Sequence, residues 1–401
     1  MAAKEKLRIA LVGCGGRGLG ARLPAILLMS DVFELTAICD VDGEKARKIG
    51  AEHGVPAYSR VQDLVAHEKL DIAAISTPAD SHHAIGAYLA EHGVNLIVET
   101  PISPTLQTAD VLINAVARNG VKLEIAEQYC RDPLHLIKRQ AINAGAIGDV
   151  LRVFALFQTG GYHIVSSVRM MVGDAAPIRV TGLVMDSPIP RVNVSEIRQF
   201  TTEHWTMDLV EFENGALAIM SYSSMYHGRA LGRKSQTLFQ VDGTTGTIVE
   251  NEIHITTQTQ RLSGGRATAY PIHTETREKD GVQVLERMVI ETDPPLEWKN
   301  PWPQYKTSPG RLAIVEEMDS IARAVREDLP TRYDAQRARR DIEVQVAVEE
   351  SGRIGRKPVN LPLKEPTIHE IEHLEKFKRN YGCDPFDVEA CVDVFFPKRC
   401  P

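Results

Sequence analysis

The short apolar run Leu7 to Val12 leads directly into Gly13-Cys14-Gly15-Gly16-Arg17-Gly18, and this junction constrains the fold more than any other stretch. A run of that kind is what a parallel strand buried on both faces presents. The glycines follow as G-x-G-x-x-G, an order in which they have separate jobs. They make a tight turn, let backbone N–H groups approach a pyrophosphate, and allow a helix to pack closely on the strand. Such a turn is weak by itself in a chain with 29 glycines, but its setting is specific. The next strand, Phe33 to Cys39, ends at Asp40, 22 residues after Gly18. A dinucleotide-binding βαβ unit sets there the carboxylate that holds the adenosine ribose. Its charge repels a 2'-phosphate, and no Arg or Lys follows before Lys45, so NAD is expected rather than NADP.

The α/β rhythm continues with an amphipathic stretch from Glu44 to His53, a strand near Ala57 and a helix from Val61 to His67. Asp71 to Ser76 follows as a strand ending in Thr77-Pro78, then a helix from His82 to His92, the strand Val94 to Val98, and Glu99-Thr100-Pro101. Alternation of this kind predicts a parallel sheet. Ligands sit at the C-terminal strand ends of such sheets, which puts Thr77, Pro78, His82 and Glu99 beside the nicotinamide end, with His83 as an ordinary polar helix residue.

From Val150 the pattern changes to β-rich runs: Leu151 to Gln158, Ile178 to Met185, Glu203 to Glu213, Ala216 to Ser224, Leu238 to Val241 and Gly246 to Thr257. Asn214-Gly215 between two of them predicts a hairpin with a type I' turn. Gln258 to Glu297 reads as a polar, irregular excursion, and Pro294-Pro295 with Trp298, Pro301, Trp302 and Pro303 as a loop whose tryptophans are anchors rather than sugar platforms. Helices are expected over Arg311 to Glu327 and Asp334 to Ser351. The fold class is therefore α/β, a Rossmann domain followed by a domain built on an antiparallel sheet with one face covered. The expected division is 1–128, 129–360 and a C-terminal extension at 361–401.

Composition narrows the function. A formal charge of -7 without a basic cluster argues against nucleic acid. No stretch approaches the roughly 18 to 20 uninterrupted apolar residues of a membrane span, and the N-terminus lacks a signal-peptide h-region, so no membrane partner and a cytoplasmic location are expected. Cys14, Cys39, Cys130, Cys383, Cys391 and Cys400 form no C-x-x-C, which suggests neither a disulfide scaffold nor a thiolate zinc site.

The chain resembles the glucose-fructose oxidoreductase and inositol dehydrogenase (Gfo/Idh/MocA) family. The matching pieces are the glycine motif, Ser76-Thr77-Pro78 with His82, Leu96-x-Val98-Glu99-Thr100-Pro101, Glu127-Gln128-Tyr129 with Arg131 and Pro133, and Ala144-Gly145-x-Ile147-Gly148-x-Val150. The resemblance implies a ring-hydroxyl oxidoreductase for sugars, glycosides or cyclitols. It also implies that the second domain is an α/β domain with a large open, mostly antiparallel sheet, that residues 361–401 extend beyond the usual end, and that the chain is a homo-oligomer, dimer or tetramer, built through the C-terminal sheet. It adds Thr100 and Gln128 to the cofactor residues Gly13, Gly15, Gly16, Arg17, Gly18, Asp40, Thr77, Pro78, His82 and Glu99.

Two departures stand out. The family's Glu-Lys-Pro reads Glu99-Thr100-Pro101, and Ser166 occupies the aspartate position of the family's His-x-x-Asp stretch. Thr100 cannot act as a base near neutral pH. His163, aligned with the family's active-site histidine, is the expected acid–base, because imidazole titrates near neutrality. Tyr162 and Tyr129 are its expected hydroxyl partners, and Arg131 and Arg169 are expected to be structural. A non-catalytic NAD- and sugar-binding regulator, or a glycoside-cleaving enzyme that oxidises its substrate transiently, are the alternatives. No metal is expected. His369-Glu370-Ile371-Glu372-His373 has the H-E-x-x-H form, but Ile368, Ile371, Leu374 and Phe377 suggest a buried stripe that leaves both histidines facing solvent.

Overall fold

The computed structural model describes residues 5–157, 160–195, 198–227, 237–394 and 396; Gln158 and Cys400 lie outside them. The first sheet contains β1 (Leu7–Val12), β2 (Phe33–Cys39), β3 (Ala57–Tyr58), β4 (Ile72–Ile75), β5 (Asn95–Val98) and β6 (Leu123–Ile125). Its order is β3-β2-β1-β4-β5-β6, parallel throughout, with helices between the strands. Ile9, Ala10, Leu11 and Ile72 to Ile75 are solvent-free, as strands covered on both faces must be. The strand order reverses between β1 and β4, so the crevice for a ligand opens above Val12 and Ile75.

The second sheet is larger. Its strands are β7 (Val150–Leu156), β8 (Pro177–Ser195), β9 (Arg198–Phe212), β10 (Leu217–Ser223), β11 (Leu238–Gly243), β12 (Gly246–Val249), β13 (Glu252–Ile255), β14 (Thr268–Lys279), β15 (Val282–Ile290), β16 (Leu296–Lys299) and β17 (Val359–Asn360). They run in the order β16-β15-β14-β13-β12-β11-β7-β10-β9-β8-β17, antiparallel except for the β7–β10 pair. Alternation sorts the faces. Val210, Ala218 and Met220 turn inward, whereas Met185, Met207, Leu209 and Leu217 are exposed on the outer face.

Several expectations need correction. The polar stretch Gln258 to Glu297 is ordered: the helix Gln258–Ser263 precedes a long hairpin of β14 and β15, then β16. Arg287 paired with Glu275 and Glu297 shows why polarity misled, since opposite charges stand across neighbouring strands there. Trp298 and Trp302 are buried anchors. The Asn214-Gly215 hairpin forms, but only Gly215 has positive φ, so the turn is type I with the glycine as bulge rather than type I'.

The extension packs on the first domain of its own chain. Phe377, Cys391 and Phe396 bury against Ala84, and the Glu370 carboxylate accepts from Leu106 N at 2.8 Å. The expected stripe of the helix Ile368–Tyr381 holds only in its second half: Phe377 is buried and Leu374 partly so, but Ile368 and Ile371 are about half exposed, while Glu370 is fully buried. Glu370 faces inward because it also caps the helix, accepting from Thr367 N at 3.1 Å. No helix among the described residues is long and apolar enough to cross a membrane.

Candidate functional site

A cavity of about 1460 Å³ runs from the glycine loop along the ends of β1, β2, β4 and β5 to the inner face of the second sheet. Gly13 has φ +95°, and a Cβ there would stand 2.7 Å from the Ser76 carbonyl. A Cβ on Gly18 would overlap the Gly13 carbonyl, so Gly18 shapes the turn from behind and does not line the cavity. Gly15 and Gly16 do line it, and nothing stands within 4 Å of a Cβ on Gly16. Open backbone of this kind before a helical turn fits a pyrophosphate. At the end of β2, Asp40 accepts from Cys14 N at 2.6 Å and Asp42 N at 3.0 Å, which fixes its carboxylate in the cavity wall. Asp40 and the loop glycines thus fit a dinucleotide, the group that the fold implies.

Thr77, Pro78, Glu99, Thr100 and Gln128 line the cavity, together with Arg17. Glu99 pairs with Arg22 at 2.8 Å and Arg17 at 3.1 Å. Burial works to raise its carboxyl, but the two guanidinium groups hold it below the usual range. Arg22, fully buried, also grips Glu317 of the helix Leu312–Glu327. His82 departs from its expected role. It is buried away from the cavity, with ring nitrogens 2.7 Å from the Pro101 carbonyl and 2.9 Å from that of Thr77, so it ties the ends of β4 and β5 together.

The cluster around His163 brings the two domains together. The helix Tyr162–Met171 starts at the cavity, and His163 Nδ1 lies 2.6 Å from Oε2 of Glu127, just past β6. Glu127 is fully buried. The Tyr129 and Tyr162 rings flank the imidazole with centroids 4.8 and 4.3 Å away. Burial pushes the Tyr162 phenol well up, opposed by its hydrogen bond with Thr100, so it stays protonated and can donate. Gln345 accepts from Tyr162 N at 2.9 Å and seats the start of the helix. Ser166 donates to the His163 carbonyl at 2.8 Å and does not line the cavity. Arg131 pairs with Glu124, and Arg169 with Asp341, both in the interior as structural ties.

Sequence reading missed the far wall. His204, Thr206 and Asp208 of β9, Tyr222 of β10 and Glu349 of the helix Ala335–Arg353 line the cavity opposite the glycine loop. His204 bonds Glu349 at 3.3 Å and Asp186 at 2.9 Å, and the first of these mainly pushes its pKa up to about 9. Asp208 Oδ2 accepts from Thr206 at 3.2 Å, while Oδ1 is buried without a partner. Burial pushes its carboxyl up to about 7. Strand alternation could have placed Thr206 and Asp208 on one face, but nothing in the sequence showed that this face meets the cavity. Glu127 was visible in Glu127-Gln128-Tyr129 but carried no assigned role. His369 and His373 are partly buried rather than solvent-facing, with His373 Nε2 3.2 Å from Asp80, and among the described residues no group of three or more ligand side chains could hold a metal.

Residues 7–127 match the model of the Gfo/Idh/MocA oxidoreductase family, NAD-binding Rossmann fold. D-apiose dehydrogenase of Paraburkholderia graminis is 26% identical over 303 residues, covering 69% of this chain and 71% of that protein. A glycosyl hydrolase family 109 protein of Shewanella amazonensis is 30% identical over 158 residues, 36% of this chain and only 34% of the relative. The solved levoglucosan dehydrogenase in complex with NADH and levoglucosan superposes with a TM-score of 0.67 at 19% identity, over 90% of this chain and all of that one, a likeness of fold. Residues 7–127 are therefore an NAD-binding Rossmann domain of the Gfo/Idh/MocA oxidoreductase family, and the chain that carries them is an oxidoreductase.

Proposed function

We propose that this oxidoreductase transfers hydride between a ring hydroxyl or ketone of a sugar, glycoside or cyclitol and NAD, with His163 as acid–base. The observation that carries the reading is the 2.6 Å contact between His163 Nδ1 and the buried Glu127 carboxylate, beside the cofactor cleft. A carboxylate on Nδ1 fixes the tautomer and leaves Nε2 as the basic nitrogen. In the oxidative direction Nε2 takes the hydroxyl proton and Glu127 stabilises the imidazolium that forms. The Tyr162 phenol donates to the substrate oxygen, and Thr100 holds that phenol in place. Bound NAD supplies the hydride acceptor. Gly15 and Gly16 hold its pyrophosphate and Asp40 its adenosine ribose, the charge of Asp40 favouring NAD over NADP.

The far wall supports a polyhydroxylated substrate. His204 as a cation, with the carboxyl groups of Asp208 and Glu349, offers donors and acceptors to a neutral polyol. The similarity to D-apiose dehydrogenase, and in fold to levoglucosan dehydrogenase, points the same way. Purified protein incubated with NAD and a panel of sugars, cyclitols and glycosides, with nicotinamide absorbance followed, tests the reading; silence across the panel refutes it. The similarity to a glycosyl hydrolase family 109 protein favours transient oxidation of a glycoside as a second reading. That reading requires aglycone release without net NADH.

The chain is also proposed to be a homo-oligomer. Met185, Met207, Leu209 and Leu217 form an exposed apolar strip on the outer sheet face, of the kind that association covers. Leu209→Arg is then expected to lower the sedimentation coefficient, and an unchanged value refutes the interface.

A further inference from the structure

The last described residues of the extension reach the cofactor cavity beside Arg60. After the turn at Gly382 the chain forms the helix Val388–Val392, and then Asp393, Val394 and Phe396 line the cofactor cavity. Asp40, Asp42, Ser59 and Arg60 line the same cavity. Asp40 N donates to the Tyr58 carbonyl at 3.1 Å, so Ser59 and Arg60 follow immediately beside the ribose carboxylate. Arg60 bonds Asp393 Oδ1 at 2.8 Å, and Gln62 donates to the same oxygen at 2.8 Å.

Packing holds this segment down. Phe377, Cys391 and Phe396 bury against Ala84, His83 Nε2 lies 2.8 Å from the Pro385 carbonyl, and Tyr381 donates to Asp80 at 2.6 Å. The Arg60–Asp393 pair is about half exposed on both sides, and pairs of that kind anchor little. Its consequence is the placement of charge. An arginine beside the ribose is the usual receptor for a 2'-phosphate. Here its guanidinium is already engaged by a carboxylate from the far end of the chain.

We propose that the C-terminal extension completes the adenosine end of the dinucleotide site in cis, and that Asp393, by engaging Arg60, sets the preference for a free 2'-hydroxyl over a 2'-phosphate. The proposal rests on Asp40 as the ribose ligand. Calorimetric titration of NAD and NADP into full-length Asp393→Asn tests it. The ratio of the two dissociation constants is expected to move toward NADP by about tenfold, the scale of removing one nearby surface charge. Adding Arg60→Ala is expected to restore the wild-type ratio. Both cofactors meet the same sample, so partial unfolding weakens them alike and leaves the ratio unmoved. A ratio unchanged in Asp393→Asn overturns the role of Asp393. Loss of NAD affinity in Asp40→Ala, with Asp393 intact, reports separately on Asp40. For the wall, Val394→Trp is expected to weaken AMP at least fivefold (about 1 kcal/mol); unchanged AMP binding in a variant with wild-type melting overturns it.

Discussion

Oε2 of Glu127 lies 2.6 Å from Nδ1 of His163, and the carboxylate is solvent-free while the imidazole is one-fifth exposed to the cavity. The two residues come from different domains, Glu127 from the loop after β6 and His163 from the helix Tyr162–Met171, so the contact forms only when both domains are in position. His163→Ala is expected to lower turnover by about 10² to 10⁴, the range for losing a general acid–base. NAD affinity should stay within a few fold. Turnover at the wild-type rate on an active substrate would remove His163 from the chemistry.

Asp40→Ala is expected to weaken NAD by about 1.5 to 3 kcal/mol, the scale of lost charge-assisted hydrogen bonds. Part of the loss comes through the loop, because Asp40 also fixes Cys14 N and Asp42 N. Calorimetry reads it directly, and an unchanged affinity would refute the ribose assignment.

The buried carboxyl of Asp208 makes the stability of the chain depend on pH. Burial raises its carboxyl from an ordinary 3.8 to about 7, so the folded chain binds this proton more tightly than the unfolded chain. The stability it contributes is complete below the unfolded value and lost as pH rises through about 7. Asn at this position escapes that loss. The melting temperature of Asp208→Asn relative to the parent should therefore climb between about pH 5 and pH 8. A flat difference would show that the carboxyl titrates normally.

Arg22→Met should cost about 3 to 5 kcal/mol in urea unfolding, because it leaves Glu99 and Glu317 buried without their shared cation. A loss under about 1 kcal/mol would mean that water or Arg17 replaces it.

The first domain was legible because each of its signals is local. Leu7 to Val12, the glycine turn and Asp40 follow one another along the chain, and the strand ends carrying Thr77 and Glu99 stand where alternation put them. What escaped reading depends on contacts across hundreds of residues. Nothing near Arg22 announces Glu317, and nothing near Arg60 announces Asp393. His82 had the position of a cofactor ligand, yet two carbonyls claim its ring. Ile368 and Ile371 looked like a buried stripe, but Glu370 is drawn inward by Leu106 N and Thr367 N, and the helix turns with it. Hydrophobic periodicity has no means of weighing a buried cap.

Partners of the nucleotide domain that arrive late in the sequence bear on how the chain is made. On the ribosome, the strands β1 to β6 emerge first, but Arg22 has no Glu317 and Leu106 no Glu370 until the rest of the second sheet has been synthesised. The domain that begins folding earliest is finished last. A nascent chain halted within the second sheet carries a nucleotide cleft whose buried arginine has Glu99 but lacks Glu317, so the domain has its full set of buried partners only once the later helices have been synthesised.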